Sequence, residues 1–124
     1  MKIVIVEDEE ALLKALQEKF IRNGLEPHIA RDGVEAIEVI KKTLPDIIAL
    51  DLLIPKKNGF KVLEEIKANP NLKDIPVIVL SNLGQDEDIK QAFKLGAEDY
   101  LVKSQHPINE IVEKFKTRLL NKSK

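Results

Sequence analysis

The sequence predicts an α/β fold, a single doubly wound (βα)5 domain over residues 1–124 with helices on both faces of a mainly parallel sheet. Three observations carry that expectation. Short apolar runs alternate with longer segments of helical period. Turn-forming residues fall at the junctions. The most apolar runs are continuous rather than alternating, as in strands covered on both faces.

The first run, Ile-Val-Ile-Val at 3 to 6, reads as a strand, and Leu12, Ala15, Leu16 and Phe20 then recur at helical spacing up to the break at Asn23-Gly24. A weaker strand follows at His28 to Ala30. After Asp32-Gly33, Ile37, Ile40 and Leu44 mark a second helix, stopped by Pro45. Ile-Ile-Ala-Leu at 47 to 50 is a third strand, and Pro55 and Gly59 separate it from a helix carrying Val62, Leu63 and Ile66. Pro70 and Pro76 lead into Val-Ile-Val-Leu at 77 to 80. Gly84 precedes a helix with Ile89, Ala92 and Phe93, and Gly96 precedes a weak strand at Tyr100 to Val102. Beyond Pro107, Ile108, Ile111, Val112, Phe115 and Leu119 give the clearest apolar stripe of the chain, at offsets 0, 3, 4, 7 and 11. The three most apolar strands are expected at the centre of the sheet.

Composition narrows the function. Twenty basic residues face twenty-one acidic ones, a formal net charge of −1, so no global basic field exists to hold nucleic acid or a membrane surface. The absence of cysteine removes disulfides, thiolate metal sites and thiol nucleophiles. No apolar run reaches membrane-spanning length and no secretory pattern opens the chain, so a cytoplasmic protein is expected. The terminal Asn121-Lys-Ser-Lys offers no DNA-binding motif.

In a parallel sheet every strand points the same way, so residues just past the strand ends line one edge, where open α/β sheets bind ligands. Strand one ends in Glu7-Asp8, strand three in Asp51, strand four in Ser81, and strand five, after Tyr100, in Lys103. Each has an ordinary reading alone: Glu7 and Asp8 as helix-capping carboxylates, Ser81 as a turn residue, Lys103 as a solvated cation, Tyr100 as a strand residue. Asp51 is the least comfortable with one, because a carboxylate ending an apolar strand is costly unless paired or bound to a cation. Their joint placement at the ends of four strands points to a site.

The segments Val-Glu-Asp-Glu at 6 to 9, Asp-Leu-Leu-Ile-Pro-Lys-Lys-Asn-Gly at 51 to 59, Val-Ile-Val-Leu-Ser at 77 to 81 and Gly-Ala-Glu-Asp-Tyr-Leu-Val-Lys at 96 to 103 resemble the response-regulator receiver domains of two-component phosphorelays, over nearly the whole chain. The resemblance implies a flavodoxin-like sheet in the order 2-1-3-4-5. It implies that Asp51 takes a phosphoryl group from a phosphohistidine of a sensor histidine kinase or phosphotransfer protein, or from a small phosphodonor. It further implies that Asp8, Asp51 and the backbone carbonyl of Leu53 hold Mg2+, with Glu7 acting through water or by holding Lys103. Lys103 and Ser81 would contact phosphoryl oxygens. Ser81 and Tyr100 would switch the face formed by the fourth helix, fifth strand and fifth helix, which a downstream protein reads. The chain would act as a monomer or a phosphorylation-dependent dimer, as a phosphoacceptor rather than a conventional enzyme.

Several positions depart from the family pattern. Ser104 stands where proline commonly follows the lysine, and a cis bond before serine would cost roughly 3 kcal/mol. Asn82 replaces a small residue, and Leu53 and Leu83, expected to flank the path of an attacking water, cannot orient one, which implies a long-lived aspartyl phosphate. His28 and His106 are expected at exposed, structural positions. Two further classes compete. A non-signalling receiver-fold interaction module or a stabilised scaffold would retain the same residues without the chemistry. A flavin-binding relative would need a phosphate cradle after strand one, where the acidic run 7 to 10 repels phosphate.

Overall fold

The computed structural model describes residues 1–121; Lys122, Ser123 and Lys124, the rest of the basic tail, lie outside the described residues. Five strands, β1 (Lys2–Val6), β2 (Glu26–Ala30), β3 (Ile47–Leu50), β4 (Val77–Ser81) and β5 (Asp99–Val102), alternate with five helices, α1 (Glu10–Arg22), α2 (Gly33–Thr43), α3 (Gly59–Ala68), α4 (Asp86–Lys94) and α5 (Ile108–Leu120). The strands form one parallel sheet in the order β2-β1-β3-β4-β5. The three continuous apolar runs are thus the central strands, and the two weaker ones form the edges.

Successive residues of each central strand feed opposite layers, the period of two that a strand imposes. Val4, Val6, Ile48, Leu50, Val77 and Val79 pack with α2, α3 and Ala92 of α4, while Ile3, Ile5, Ile47, Ala49, Ile78 and Leu80 pack with α1 and α5. In the second layer the rings of Phe20 and Phe115 meet edge to face at 5.5 Å, joining α1 to α5. Full burial of such a side chain contributes about 2 kcal/mol.

Local chemistry sets the helix ends. Asp32 caps α2 by accepting the N–H of Glu35 at 2.8 Å, while the Glu35 carboxylate reaches back to the N–H of Arg31 at 2.8 Å. Asn58 caps α3 through the N–H of Lys61 at 3.1 Å. Three expected core positions are displaced. Leu13 rather than Leu12 is buried in α1; Leu44, 58% exposed, lies past the end of α2 with φ 49°; and Phe93 is 45% exposed. In α4 Ala92 is the one fully buried residue, and no side chain caps the helix.

Candidate functional site

The carboxyl ends of β1 and β3 lie side by side where the chain reverses its direction of winding, and backbone hydrogen bonds fix their depth. The N–H of Asp51 donates to Val6 at 3.1 Å, and that of Glu7 to Ala30 at 3.0 Å. Asp51 and Glu7 are therefore buried, 4% and 2% exposed, whereas Asp8 faces solvent. The three carboxylates offer oxygens within 4.8 Å of one another.

Lys103 reaches over from the end of β5. Its Nζ donates to Asp51 Oδ2 at 2.8 Å and lies 2.7 Å from Glu7 Oε1. The second Glu7 oxygen accepts the N–H of Glu9 at 3.0 Å, and Asp51 Oδ1 accepts the N–H of Leu53 at 3.1 Å. Both Glu7 oxygens are thus engaged by the protein, while Asp8 projects outward. Burial pushes the Glu7 carboxyl above its ordinary range, and the Asp51 charge adds to this, against the hydrogen bonds from Lys103 and Glu9. Burial alone would depress the Lys103 ammonium, but the hydrogen bonds to Asp51 and Glu7 hold it above its ordinary value. Three carboxylates against one ammonium leave a compact negative site of hard oxygen donors, which suits a small divalent cation.

At the end of β4, Ser81 is fully buried and its Oγ accepts the N–H of Leu83 at 3.3 Å. That bond uses a lone pair and leaves the hydroxyl hydrogen available to a further acceptor. Tyr100, half-buried on β5, donates its hydroxyl to the carbonyl of the same Leu83. Burial first, then the charges of Asp88 and Asp51, push the phenol up to about 12.

The loop after Asp51 is held from two sides. Lys56 has φ 69°, and the N–H of Lys57 donates to the Pro55 carbonyl at 2.8 Å, a three-residue turn centred on a left-handed lysine. A non-glycine residue held in such a conformation is strained by roughly 1–3 kcal/mol. The Lys56 ammonium lies 3.5 Å from Asp32, and the N–H of Gly33 donates to the same Pro55 carbonyl at 3.2 Å. On the other side, a Cβ at Gly59 would lie 2.5 Å from the Asp51 carbonyl oxygen, so only glycine lets α3 approach this closely.

The structure therefore gathers Glu7, Asp8, Asp51 and Lys103 into one cluster. Ser81 ends the adjoining strand, and Tyr100 is linked to it through Leu83. The sequence carried no sign of the paired use of the Leu83 peptide, because backbone groups leave no trace in residue identity. All peptide bonds among the described residues are trans, Lys103-Ser104 included, and Lys103 still points inward. His28 and His106 are only partly exposed and lie 2.6 Å from Glu26 and Glu110, outside the cluster.

Comparison with known proteins agrees with this fold. Residues 3–116 match the model of the response regulator receiver domain. The chain belongs to the response-regulator receiver family. Among curated proteins this receiver is 35% identical over 102 residues to the DNA-binding dual master transcriptional regulator RpaA of Synechocystis sp., covering 82% of this chain and 42% of that protein. It is 33% identical over 123 residues to the response regulator PleD of Caulobacter vibrioides, covering 99% of this chain and 26% of that one. The receiver thus spans less than half the length of these relatives. Among solved structures, the phosphorylated cyanobacterial phytochrome response regulator RcpA superposes with a TM-score of 0.86 at 36% identity, over 96% of this chain and 93% of that one. The Mn2+-bound form of the response regulator Rcp1 gives 0.83 at 34% identity, over 94% and 91%. No helix among the described residues is long and apolar enough to cross a membrane.

Proposed function

We propose that this receiver accepts a phosphoryl group on Asp51 from the phosphohistidine of a sensor histidine kinase or phosphotransfer protein, or from a small phosphodonor, in a Mg2+-dependent step. The observation that carries the reading is the position of Asp51, buried at the end of β3 beside Glu7 and Asp8 and capped by Lys103. An Asp51 carboxylate oxygen attacks phosphorus, a P–O bond forms, the P–N bond breaks, and the bond pair leaves with the imidazole nitrogen, which takes a proton.

Asp8, Asp51 and the Leu53 carbonyl would hold Mg2+, with Glu7 kept in reserve by its bonds to Lys103 and Glu9. When bound, the cation offsets the charge of the acidic cluster and of the incoming phosphoryl oxygens. Lys103 exchanges its bond to Asp51 for one to a phosphoryl oxygen, and the free Ser81 hydroxyl hydrogen goes to another. Movement of Ser81 shifts Leu83, and with it the acceptor of Tyr100. The bias passes to the face of α4, β5 and α5, where a downstream protein binds. Signalling in the cytoplasm, as a monomer or a dimer formed on phosphorylation, with any DNA contact made by other domains, completes the reading.

Intact-mass measurement with a small phosphodonor, with and without Mg2+, tests it on the wild type and Asp51→Asn. Gain of one phosphoryl group that needs both Mg2+ and Asp51 is expected. A folded protein that binds Mg2+ yet gains none would favour a non-signalling interaction module or scaffold.

A further inference from the structure

We propose that Gly33, on α2 and outside the acidic cluster, is a positioning residue for the cation and Asp51, acting through the loop between β3 and α3. The proposal rests on the Mg2+ reading above.

Gly33 is the first residue of α2 and is buried against that loop. A Cβ added there would lie 1.8 Å from the Lys57 carbonyl oxygen, 2.6 Å from the Lys57 carbonyl carbon and 2.6 Å from Lys57 Cβ. The obstructing atoms are mainly backbone, so no flexible side chain can swing aside; either α2 or the loop must move. Gly33 adopts an ordinary helical conformation, so its need for glycine is one of space rather than of backbone freedom.

The loop is the more exposed of the two elements, with Pro55, Lys56 and Asn58 facing solvent, and it shifts more readily than α2. It contains the left-handed Lys56, and the same Pro55 carbonyl accepts from both Lys57 and Gly33, at 2.8 and 3.2 Å. Asp32, adjacent to Gly33, meets Lys56 at 3.5 Å. On its other flank Gly59 is pressed against Asp51 and Leu52, and the N–H of Gly59 donates to the Leu52 carbonyl at 3.0 Å. The segment carrying Asp51 and Leu53 is therefore clamped between two glycines. Because Pro55 and Lys56 carry the bonds that fix Lys57, a displacement at Lys57 is passed back along Pro55 and Ile54 towards Leu53 and Asp51. Gly33 thus sets where the Leu53 carbonyl and the Asp51 carboxylate stand relative to Asp8, an indirect support of the kind that tunes metal ligands.

Calorimetric titration with Mg2+ of the wild type, Gly33→Ala, Asp32→Asn and Lys56→Met, beside urea denaturation of each, tests the inference. Gly33→Ala is expected to fold and to bind Mg2+ about tenfold or more weakly. The other pair keeps the test open should Gly33→Ala fail to fold. Asn at 32 keeps a side-chain oxygen for the α2 cap, and both substitutions remove the Asp32–Lys56 tie while leaving the bond from Gly33 to Pro55 in place. If the tie positions the loop, each weakens Mg2+ binding by about twofold. If Asp32 and Lys56 act only through charge, loss of the anion weakens binding and loss of the cation strengthens it, and the proposal fails. It fails equally if folded Gly33→Ala binds Mg2+ within twofold of the wild type. Absence of Mg2+ binding by the wild type itself would instead overturn the cation reading of the site.

Discussion

Tyr100 and Ser81, on neighbouring strands, are joined through a single residue: the tyrosine hydroxyl donates to the carbonyl of Leu83, whose N–H donates to Ser81 Oγ at 3.3 Å. The two side chains thus share the backbone of Leu83, one at its N–H and the other at its carbonyl.

The chain contains one tyrosine, so its ionisation is directly visible in the ultraviolet. The phenol is expected to titrate at about 12 rather than at its ordinary 10.0, because burial and the charges of Asp88 and Asp51 oppose the tyrosinate. The sign follows: the folded state holds the proton more tightly, so the stability this confers is complete below pH 10 and declines as pH rises towards 12. Tyr100→Phe leaves the Leu83 carbonyl without this donor and should lower stability by roughly 1 kcal/mol in urea denaturation. Titration of the wild type at the ordinary value would show that the hydroxyl is free.

Asp51 bonds Lys103, but it also places a second buried negative charge beside Glu7. Glu7 is already pushed upward by burial and by the Asp51 charge. Asp51→Asn is therefore expected to stabilise the protein by about 1 kcal/mol in the absence of divalent cations, as removal of functional strain commonly does. Added Mg2+ should raise the denaturation midpoint of the wild type and have much less effect on the variant. Equal stabilisation of both proteins by Mg2+ would place the cation elsewhere.

Arg118 on α5 grips Glu98 through two hydrogen bonds, one of them 2.8 Å from Nη2 to Oε1. This pairing, first through the hydrogen bond and then through charge, holds the Glu98 carboxyl below its ordinary 4.5. Its contribution is present above that value and is lost as pH falls through the lower folded one. Arg118→Met should lower stability at neutral pH by roughly 0.5–1 kcal/mol, an effect screened by salt. The variant should also lose less stability than the wild type on acidification below pH 4.5. Parallel acid limbs for the two proteins would contradict the assignment.

Leu53 is 54% exposed and offers no polar atom in its side chain to direct water at a phosphorylated Asp51. The aspartyl phosphate is expected to persist well beyond seconds, and Leu53→Asn to shorten its life several-fold. Quenched-time mass measurements read both values. Loss within seconds in the wild type would contradict this expectation.

The sheet was legible because burial on both faces demands continuous apolar runs, and β1, β3 and β4 have them. The acidic cluster was legible because parallel strands must bring their ends to one edge. Legibility failed where side-chain identity carries no information. Gly33 reads as a turn signal in sequence, yet its constraint comes from Lys57, 24 positions away by the numbering. Leu12 and Leu13 both fit a helical stripe, and only packing against β1 and α5 selects the second. Leu44 continued the α2 period on paper, but the chain has left the helix by then and turns towards β3.

The thin anchoring of α4 has a consequence for how the domain opens. With Ala92 alone fully buried and no side-chain cap, this helix has less apolar surface to lose on detaching than its neighbours, which bury three or four residues each. Its amide protons should exchange with solvent through local opening, at free energies well below global unfolding, while those of β1 and β3 wait for the whole domain to unfold. A partner that captured a detached α4 would then meet a lower cost than at α1, α2, α3 or α5.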